Sequence, residues 1–312
     1  MSLKLRLLGT GAGGGLPQWN CACMNCIKCR ANLIPERTQS SICVSADDEN
    51  WILINASPDF RQQFNSWQIA CYTKDSVDSK ENIDKPRNKC MTHIVLMDSQ
   101  LDHVSGLLSM RETPEITIYS TQNVLDELTN DFRLLPILSH YQKINHVIID
   151  DMSEFTIFGI VFKCVYLKGK PPPYSKNRLA QKEGDNMGLV MRHKESTKYA
   201  FYAPGIQELP ESILSLIFGS FLTLIDGTLY KDDEMIVKGY SKKTGKEMGH
   251  ISNEDLLSVI VGYTRQMNYI ENSIYLIHIN NTNPILDISS NEYNTLKKAG
   301  INVSSDGMEF IV

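Results

Sequence analysis

The stretch MDSQLDH, residues 97–103, is the most informative part of the chain, because acids and a histidine directly follow an apolar run. The segment THIVLM, residues 92–97, is short and apolar and predicts a buried strand. Asp102 and His103 therefore lie just past a strand end, where a metal ion or substrate can be bound. A structural role competes with this hypothesis: Asp102 can cap a helix predicted over 104–112, and His103 can be a hydrogen-bonded core histidine.

Working outward, strands dominate both ends of the chain, and helices lie between strands and near the C-terminus. Strands are predicted at 3–8, 41–46, 51–55, 92–97, 115–120, 186–192, 198–202, 221–226 and 273–279, with more over 145–167 and a last pair over 301–311. Further helices are predicted at 122–130, 252–266 and 290–299. This order predicts one α/β domain over 1–312, an αββα sandwich of two packed mixed sheets flanked by helices. A doubly wound parallel fold would need more regular alternation. The polar segment 72–90 indicates a surface insertion.

Composition narrows the classes of function. The chain has 312 residues, a net charge of -5, 42% apolar residues and 21% charged residues, which are ordinary values for a globular protein. The mild acidity argues against a dedicated nucleic-acid binder. The N-terminal apolar run is too short for a signal peptide, and no stretch approaches the roughly 20 apolar residues that span a bilayer. We therefore expect a cytoplasmic protein without membrane or nucleic-acid partners; a homodimer is left open.

Four of the eight cysteines crowd into nine residues: Cys21, Cys23, Cys26 and Cys29. In a reducing compartment, such a cluster indicates a metal site rather than a disulfide framework. Three thiolates in a C-x-C-x-x-C run can converge on one tetrahedral zinc ion. Cys29 or a residue from far along the chain would be the fourth ligand. Free loop thiols are the alternative, and a redox C-x-x-C is disfavoured because the cluster does not open a helix in a clear βαβ pattern. The remaining cysteines, Cys43, Cys71, Cys90 and Cys164, are predicted to be buried thiols.

A glycine run, Gly9 to Gly15, follows the first predicted strand and contains a G-x-G-x-x-G match. As a dinucleotide signature it is weak, because Pro17 and Trp19 stand where a helix should begin. A tight loop with close backbone approach is the better interpretation.

The opening stretch resembles the metallo-β-lactamase superfamily, which carries H-x-H-x-D-H at such a strand end. Here the pattern is D-x-Q-x-D-H, with Asp98 and Gln100 in place of the first two histidines. The histidine expected on a later strand end is also missing from LKGKPPPY, residues 167–174. The resemblance implies that Asp226, which ends FLTLID, and His278, which ends SIYLIH, belong to the same site.

These departures change the expected chemistry. A two-zinc hydrolytic site needs more imidazoles than this chain supplies. What remains, Asp102, His103 and His278, suits a facial triad that leaves positions open on non-haem Fe²⁺, with Zn²⁺ as the alternative ion. Asp226 is either a further ligand or a partner that orients His103 or His278.

Longer matches specify the family further. They are GGGLPQWNCACMNC (13–26), RTQSSICVS (37–45), NASPDFRQQ (55–63), DSQLDHVSGLLSMRE (98–112), GKPPPYS (169–175), GDNMGL (184–189), DGTLY-KDDEM (226–235), MGHIS (248–252), HINNTNPIL (278–286) and DGMEF (306–310). In these stretches and their order the chain resembles the PqqB family of pyrroloquinoline quinone (PQQ) biosynthesis. The resemblance implies iron- and O₂-dependent hydroxylation of a tyrosine ring in a cross-linked Glu–Tyr precursor, a small peptide-derived substrate. A role as a carrier of the quinone or its precursor is an older suggestion, and without a membrane segment direct transport is physically implausible.

The resemblance also implies a structural zinc held by Cys21, Cys23 and Cys26. Asn281, near the last histidine, is then a candidate fourth ligand beside Cys29.

Two residues are candidate catalytic groups, His250 and Asp98. His250 lies in the sequence MGH; related phosphodiesterases carry a G-H pair there that donates a proton, so His250 can act as acid or base or bind a carboxylate. A solvent-exposed histidine at a helix entry is the competing explanation. The candidate partners for substrate carboxylates are Arg37, Arg61, Arg111 and Lys170. A zinc-dependent hydrolase and a non-enzymatic carrier remain the alternative functions.

Overall fold

The computed structural model describes residues 2–67, 91–266 and 272–312. Its strands are β1 (Lys4–Gly9), β2 (Ser41–Ser45), β3 (Ile52–Ile54), β4 (His93–Val95), β5 (Glu115–Ser120), β6 (Lys143–Ile148), β7 (Glu154–Ile157), β8 (Ile160–Tyr166), β9 (Met187–His193), β10 (Ala200–Ala203), β11 (Leu222–Asp226), β12 (Ser273–Ile277), β13 (Ile301–Val303) and β14 (Glu309–Ile311). The predicted insertion at 72–90, with Cys90, and Cys71 lie outside the described residues.

The α-helices are α1 (Met24–Arg30), α2 (Phe60–Ser66), α3 (Leu101–Val104), α4 (Gln122–Asp126), α5 (Leu134–Leu138), α6 (Glu211–Gly219), α7 (Glu234–Val237), α8 (Gly245–Met248), α9 (Asn253–Gln266) and α10 (Asn291–Lys298). Short 3₁₀ segments cover Ser105–Leu108 and Pro284–Leu286, and a π-helical turn covers Glu127–Asp131. In the described part of the chain, no helix combines the length and apolarity that a membrane crossing requires.

The strands form two mixed sheets of the same size. The first has the order β14-β1-β2-β3-β4-β5-β6, and the second has the order β13-β12-β11-β10-β9-β8-β7. In each sheet one half is antiparallel and the other half is parallel, from β3 to β6 and from β10 to β13. The predicted αββα sandwich is confirmed, and the doubly wound alternative is wrong because antiparallel pairing links half of each sheet.

Three apolar clusters separate the four layers. Within β2, Ile42 and Val44 face the cluster between the sheets, while Cys43 faces the cluster under the helices of the first sheet. This alternation follows from the two-residue period of a strand. The third cluster places Phe201 of β10 against helices α6 and α9, through residues such as Leu256. Each sheet is therefore buried on both faces, which leaves the strand ends as the place where polar residues can converge.

Three local predictions need correction. Residues 301–311 do not form a strand pair: β13 joins the second sheet and β14 the first, and the turn at Gly307 (φ +82°) lies between them. The helix predicted over 104–112 is instead α3, Leu101–Val104, followed by one 3₁₀ segment. The cysteine cluster does open a helix, α1, although the strands around it, β1 and β2, are antiparallel and form no βαβ unit.

Candidate metal centres

The carboxyl ends of parallel strands in both sheets meet at one edge of the sandwich. The loop after β4 carries Asp98 and leads into α3, which holds Asp102 and His103. In the opposite sheet, Asp226 ends β11 and pairs with the last residue of β12, so His278 emerges beside it. His278 has a left-handed backbone (φ +59°), which is uncommon for a non-glycine residue and turns the chain sharply at this point. The fold thus gathers residues that are distant in sequence.

His103 is buried and is held by one carboxylate. Its Nδ1 lies 2.8 and 2.9 Å from the two oxygens of Asp98, on the side of the ring opposite Nε2. Its Nε2 is buried and has no hydrogen-bond partner among the described residues. Burial alone would lower the pKa of His103, but the Asp98 and Asp102 carboxylates raise it to about 9. A buried ring nitrogen without a partner costs free energy, and a metal ion at Nε2 would remove that cost.

Asp102 and His278 complete a three-ligand set with His103. Asp102 Oδ2 lies 3.1 Å from His278 Nε2 and 3.9 Å from His103 Nε2, and the three ligand atoms are all within 4.8 Å of one another. Ligands about 2.1 Å from one ion lie roughly 3.0–3.5 Å apart. The Asp102–His278 distance matches this spacing and the Asp102–His103 distance is slightly longer, so a small approach of His103 would complete a site for a single metal ion. Burial would raise the pKa of Asp102, but the two imidazoles lower it well below its usual value, so the carboxylate is available as a ligand.

Asp226 is fully buried and its four acceptor positions are filled. Oδ1 accepts from the Thr228 amide (2.9 Å) and hydroxyl (2.6 Å), and Oδ2 accepts from the Ile206 amide (3.0 Å) and from His250 Nδ1 (2.6 Å). A carboxylate has about four lone-pair sites, so this arrangement favours the orienting role for Asp226. It orients His250 directly and His278 through Thr228, although the Asp226, His250 and His278 ligand atoms also lie within 4.8 Å of one another.

The two candidate catalytic residues occupy different positions. His250 follows the left-handed Gly249 (φ +101°) and lines a cavity above the Asp102, His103 and His278 ligand set, with its side chain about 20% exposed. Burial alone would lower the pKa of His250, but the Asp226 carboxylate raises it. Asp98 lies behind His103, with both oxygens on Nδ1, and this geometry favours a positioning role.

The cysteine cluster forms a separate ligand set, which contacts Asn281 in the loop after His278. The Sγ atoms of Cys21, Cys23 and Cys26 lie within 4.8 Å of one another. The amide nitrogen Nδ2 of Asn281 lies 3.1, 3.5 and 3.3 Å from those three sulfurs, and a half-turn of the amide places its oxygen at the same point. Burial and the neighbouring thiols raise the pKa of Cys23 to about 11, so a cation is needed to hold this residue as a thiolate. The set fits a tetrahedral zinc ion.

The structure separates the two candidates for the fourth zinc ligand. Cys29 is buried on α1, but its sulfur is not grouped with the three converging thiols, whereas the Asn281 amide contacts all of them. Asn25 of α1 holds the loop in place, because its Nδ2 donates to the carbonyls of Asn281 (2.9 Å) and Asn283 (2.8 Å). Asn281 is therefore the better candidate.

A cavity of about 1000 Å³ lies over the Asp102, His103 and His278 ligand set. Lys170, one of the candidates for binding a substrate carboxylate, lines it together with Arg178 and Lys243. Neither Arg178 nor Lys243 has an ion-pair partner within residues 2–67, 91–266 and 272–312, and Lys170 Nζ donates only to the carbonyl of Glu247. The cavity therefore offers cationic groups to an anionic ligand.

Three of the predicted cationic residues lie elsewhere. Arg37 is buried and donates to the Thr10 hydroxyl (2.8 Å) and to a backbone carbonyl, Arg61 is exposed on α2, and Arg111 donates to the Leu108 carbonyl. None of the three lines the cavity. Sequence reasoning missed Arg178 and Lys243, whose only signal is their place in basic segments after KPPPY and before MGH.

Comparison with known proteins agrees with this architecture. Residues 50–279 match the family model of the beta-lactamase superfamily domain. Coenzyme PQQ synthesis protein B of Methylococcus capsulatus is 40% identical and aligns over 99% of each chain, and that of Cupriavidus necator is 40% identical over 98% of each. The crystal structure of Zn(2+)-bound PqqB from Methylobacterium extorquens has a TM-score of 0.84 and 31% identity, covering 98% of this chain and 99% of that one. A diphosphatase of the PhnP family shares the fold alone, with a TM-score of 0.66 and 18% identity over 99% of this chain and 97% of that one.

Proposed function

The chain belongs to the coenzyme PQQ synthesis protein B family, and from that premise we propose that it hydroxylates the tyrosine ring of a cross-linked Glu–Tyr precursor with Fe²⁺ and O₂. The observation that carries this proposal is the ligand set of Asp102, His103 and His278, with the buried Nε2 of His103 left without a partner. Two imidazoles and one carboxylate with open positions are typical of non-haem iron oxygenases. The proposed structural zinc, held by Cys21, Cys23, Cys26 and Asn281, would tie the His278 loop to α1.

Three side chains would hold the iron ion, which supplies O₂ activation when it is bound. Asp102 contributes the only carboxylate, and Asp98 keeps Nε2 of His103 directed to the same point as Nε2 of His278. The overall reaction inserts one oxygen atom of O₂ into a ring C–H bond and releases the other as water, so it needs two electrons from an external reductant. His103 and His278 are buried and the Asp102 side chain is only 17% exposed, which limits the access of water to one side of the site.

The cavity would bind the carboxylates of the precursor. Lys170, Arg178 and Lys243 line it, and the charges of Arg178 and Lys243 are free of ion pairs among the described residues. Charge-assisted hydrogen bonds from such groups to carboxylates are the strong class of polar contact. These residues would fix the orientation of the tyrosine ring above the metal site, because binding at two or three points prevents rotation of the ligand.

His250 would move the proton of the tyrosine hydroxyl. Its Nδ1 is engaged by Asp226 at 2.6 Å, so the group that faces the cavity is Nε2. A histidine held through Nδ1 by a buried carboxylate can accept or give a proton at Nε2 without rotating. Asp226 thereby fixes the orientation of His250 and stabilises its protonated form.

The test is anaerobic reconstitution of the full chain with Fe²⁺, followed by a reductant, O₂ and a peptide containing the Glu–Tyr cross-link. A product that is heavier by one oxygen atom, with that atom derived from ¹⁸O₂, is the expected result. His103→Ala should abolish the product while the cysteine-bound zinc remains. A protein that binds no iron and hydroxylates no ring would overturn the proposal.

A zinc-dependent hydrolase is the second candidate, and a specific observation supports it. Three protein ligands with an open position also describe catalytic zinc sites, and the adjacent group of Asp226, His250 and His278 could bind a second ion if Asp226 gave up its hydrogen bonds. Cleavage of a phosphodiester or a lactone by the zinc-loaded protein would favour this function. Tight quinone binding that persists after Asp102→Ala and His103→Ala would instead favour a carrier.

We also propose that the protein acts in the reducing cytoplasm. Cys21, Cys23, Cys26, Cys29 and the buried Cys164 are free thiols. Structural disulfides would be expected in an oxidising compartment. Fractionation of cells that express the tagged full chain tests this placement.

A further inference from the structure

Thr228 lies between the proposed metal ligand His278 and the proposed proton carrier His250. Its side chain is buried, and its hydroxyl oxygen lies 2.9 Å from His278 Nδ1, 3.1 Å from His250 Nδ1 and 2.6 Å from Asp226 Oδ1. The His278 carbonyl is also within reach, at 3.0 Å. One hydroxyl therefore contacts both histidines and the carboxylate that orients them.

The direction of these hydrogen bonds follows from a count of hydrogens. The Thr228 hydroxyl has one hydrogen and two lone pairs. The carboxylate of Asp226 is the shortest contact and the charged acceptor, so it takes that hydrogen. The hydroxyl oxygen then faces His278 as an acceptor, and the only group that can donate to it there is a proton on Nδ1 of His278.

The consequence concerns the other nitrogen of the same ring. When Nδ1 of His278 carries the proton, the lone pair of the neutral imidazole is on Nε2, which is directed at Asp102 and the ligand set. Metal-binding histidines generally donate their second ring N–H to an oxygen, and this contact fixes both the ring orientation and the ligating atom. Asp98 has that function for His103, and no carboxylate contacts the His278 Nδ1 atom among the described residues.

We propose that Thr228 is a positioning residue for the metal centre, which accepts the Nδ1–H of His278 and so presents Nε2 to the ion. Through Asp226, the same hydroxyl connects the ligand His278 to His250. This inference rests on the proposed metal centre but not on iron, O₂ or the Glu–Tyr substrate. It can therefore fail while the proposed reaction stands, and the reverse also holds.

The experiment compares matched variants of the full chain with the cysteine site filled. Thr228→Val removes the hydroxyl at nearly constant shape, and Thr228→Ser keeps it. Thr223→Val is the control. Thr223 lies on β11 and is buried like Thr228, but its hydroxyl forms a hydrogen bond with the Ser220 hydroxyl (2.7 Å), away from the metal centre. Zinc binding to the Asp102, His103 and His278 set is measured by competition with a chromophoric chelator, without any turnover.

Loss of the hydroxyl should weaken zinc binding by about 10- to 100-fold, as for other outer partners of metal-binding histidines. Thr228→Ser and Thr223→Val should bind zinc as the wild type does. Wild-type affinity in Thr228→Val, or equal losses in Thr228→Val and Thr228→Ser, would overturn the proposal, because the effect would then not depend on the hydroxyl.

A second measurement needs no variant that removes the hydroxyl. In the zinc-loaded wild type labelled with ¹⁵N-histidine, the ring of His278 should bind zinc through Nε2 and show a slowly exchanging Nδ1–H resonance. Coordination through Nδ1, or an Nδ1–H that exchanges as fast as in an exposed histidine, would contradict the proposal even if Thr228→Val failed to fold.

Discussion

Replacing Cys26 by serine should release the zinc proposed for the cysteine cluster and destabilise the fold. Cys26 is fully buried on α1, and its sulfur lies 3.3 Å from the Asn281 amide, inside the ligand set. Serine has nearly the same shape but is a poor ligand for zinc, which prefers thiolate and imidazole. The remaining ligands would be two thiols and an amide, too few to close a structural site.

The size of the effect has two parts. A ligand present at a thousand times its Kd stabilises the native state by about 4.1 kcal/mol, and this contribution is lost with the zinc. A hydroxyl buried in place of a thiol costs about 1–3 kcal/mol more. With a shift of about 2 °C per kcal/mol for a chain of this size, the Tm of Cys26→Ser should fall by roughly 10 °C.

The matched control is Cys29→Ser, on the same helix. Cys29 is only 2% exposed, so it undergoes the same chemical change in a similar setting, but its sulfur is outside the converging set. Cys29→Ser should lose only the hydroxyl contribution of about 1–3 kcal/mol, so its Tm should fall by only a few degrees. Zinc per chain after gel filtration and Tm by calorimetry are the two measurements.

If Cys26→Ser kept its zinc and the wild-type Tm, Cys26 would not be a zinc ligand. If Cys29→Ser lost zinc as readily as Cys26→Ser, Cys29 would be a ligand, which would contradict the proposed set of Cys21, Cys23, Cys26 and Asn281.

Three further predictions address the Asp102, His103 and His278 site and its surroundings. Asp98→Asn removes the charge that holds Nδ1 of His103 and should weaken metal binding there by about 10- to 100-fold in a chelator competition; unchanged affinity would contradict the positioning role. Lys243→Gln should raise the Kd for a dicarboxylate ligand about tenfold at low salt, and less at high salt, while the neighbouring Lys242→Gln, which does not line the cavity, should not. Burial raises the pKa of Glu127 above 4.5, so the folded state binds more protons than the unfolded state between the unfolded and the folded pKa. The free energy of unfolding of the wild type should therefore fall as the pH rises through that interval, and Glu127→Gln should remove this decrease. Parallel curves of unfolding free energy against pH for the two proteins would contradict the prediction.

The features predicted best from the sequence are those encoded within a few residues. Short apolar runs such as THIVLM and FLTLID marked the strands. Acids and histidines at strand ends marked Asp102, His103 and His278, because a sheet brings its strand ends to one edge. The αββα order followed from the distribution of strands and helices along the chain.

The rest depends on contacts between distant segments. Thr228 is 50 residues from His278, and nothing in the sequence DGTLY shows that its hydroxyl faces an imidazole. Likewise, β13 and β14 are short and close in sequence, so local pattern suggested a pair, but each is placed by its neighbour, β12 or β1, in a different sheet. Helix α1 is only seven residues long and is held by Asn25 to a loop more than 250 residues away. Such short elements are set by tertiary packing rather than by propensity.

Metal content per chain tests most directly whether Asp102, His103 and His278 form a single metal centre separate from the cysteine zinc. The full chain is loaded with Fe²⁺ under anaerobic conditions, freed of unbound ions and analysed by mass spectrometry for zinc and iron, in wild type and in His103→Ala. We predict one zinc and one iron per wild-type chain, and zinc alone in the variant. Two zinc ions at the site of Asp102, His103 and His278, or iron retained by His103→Ala, would contradict a single metal centre there.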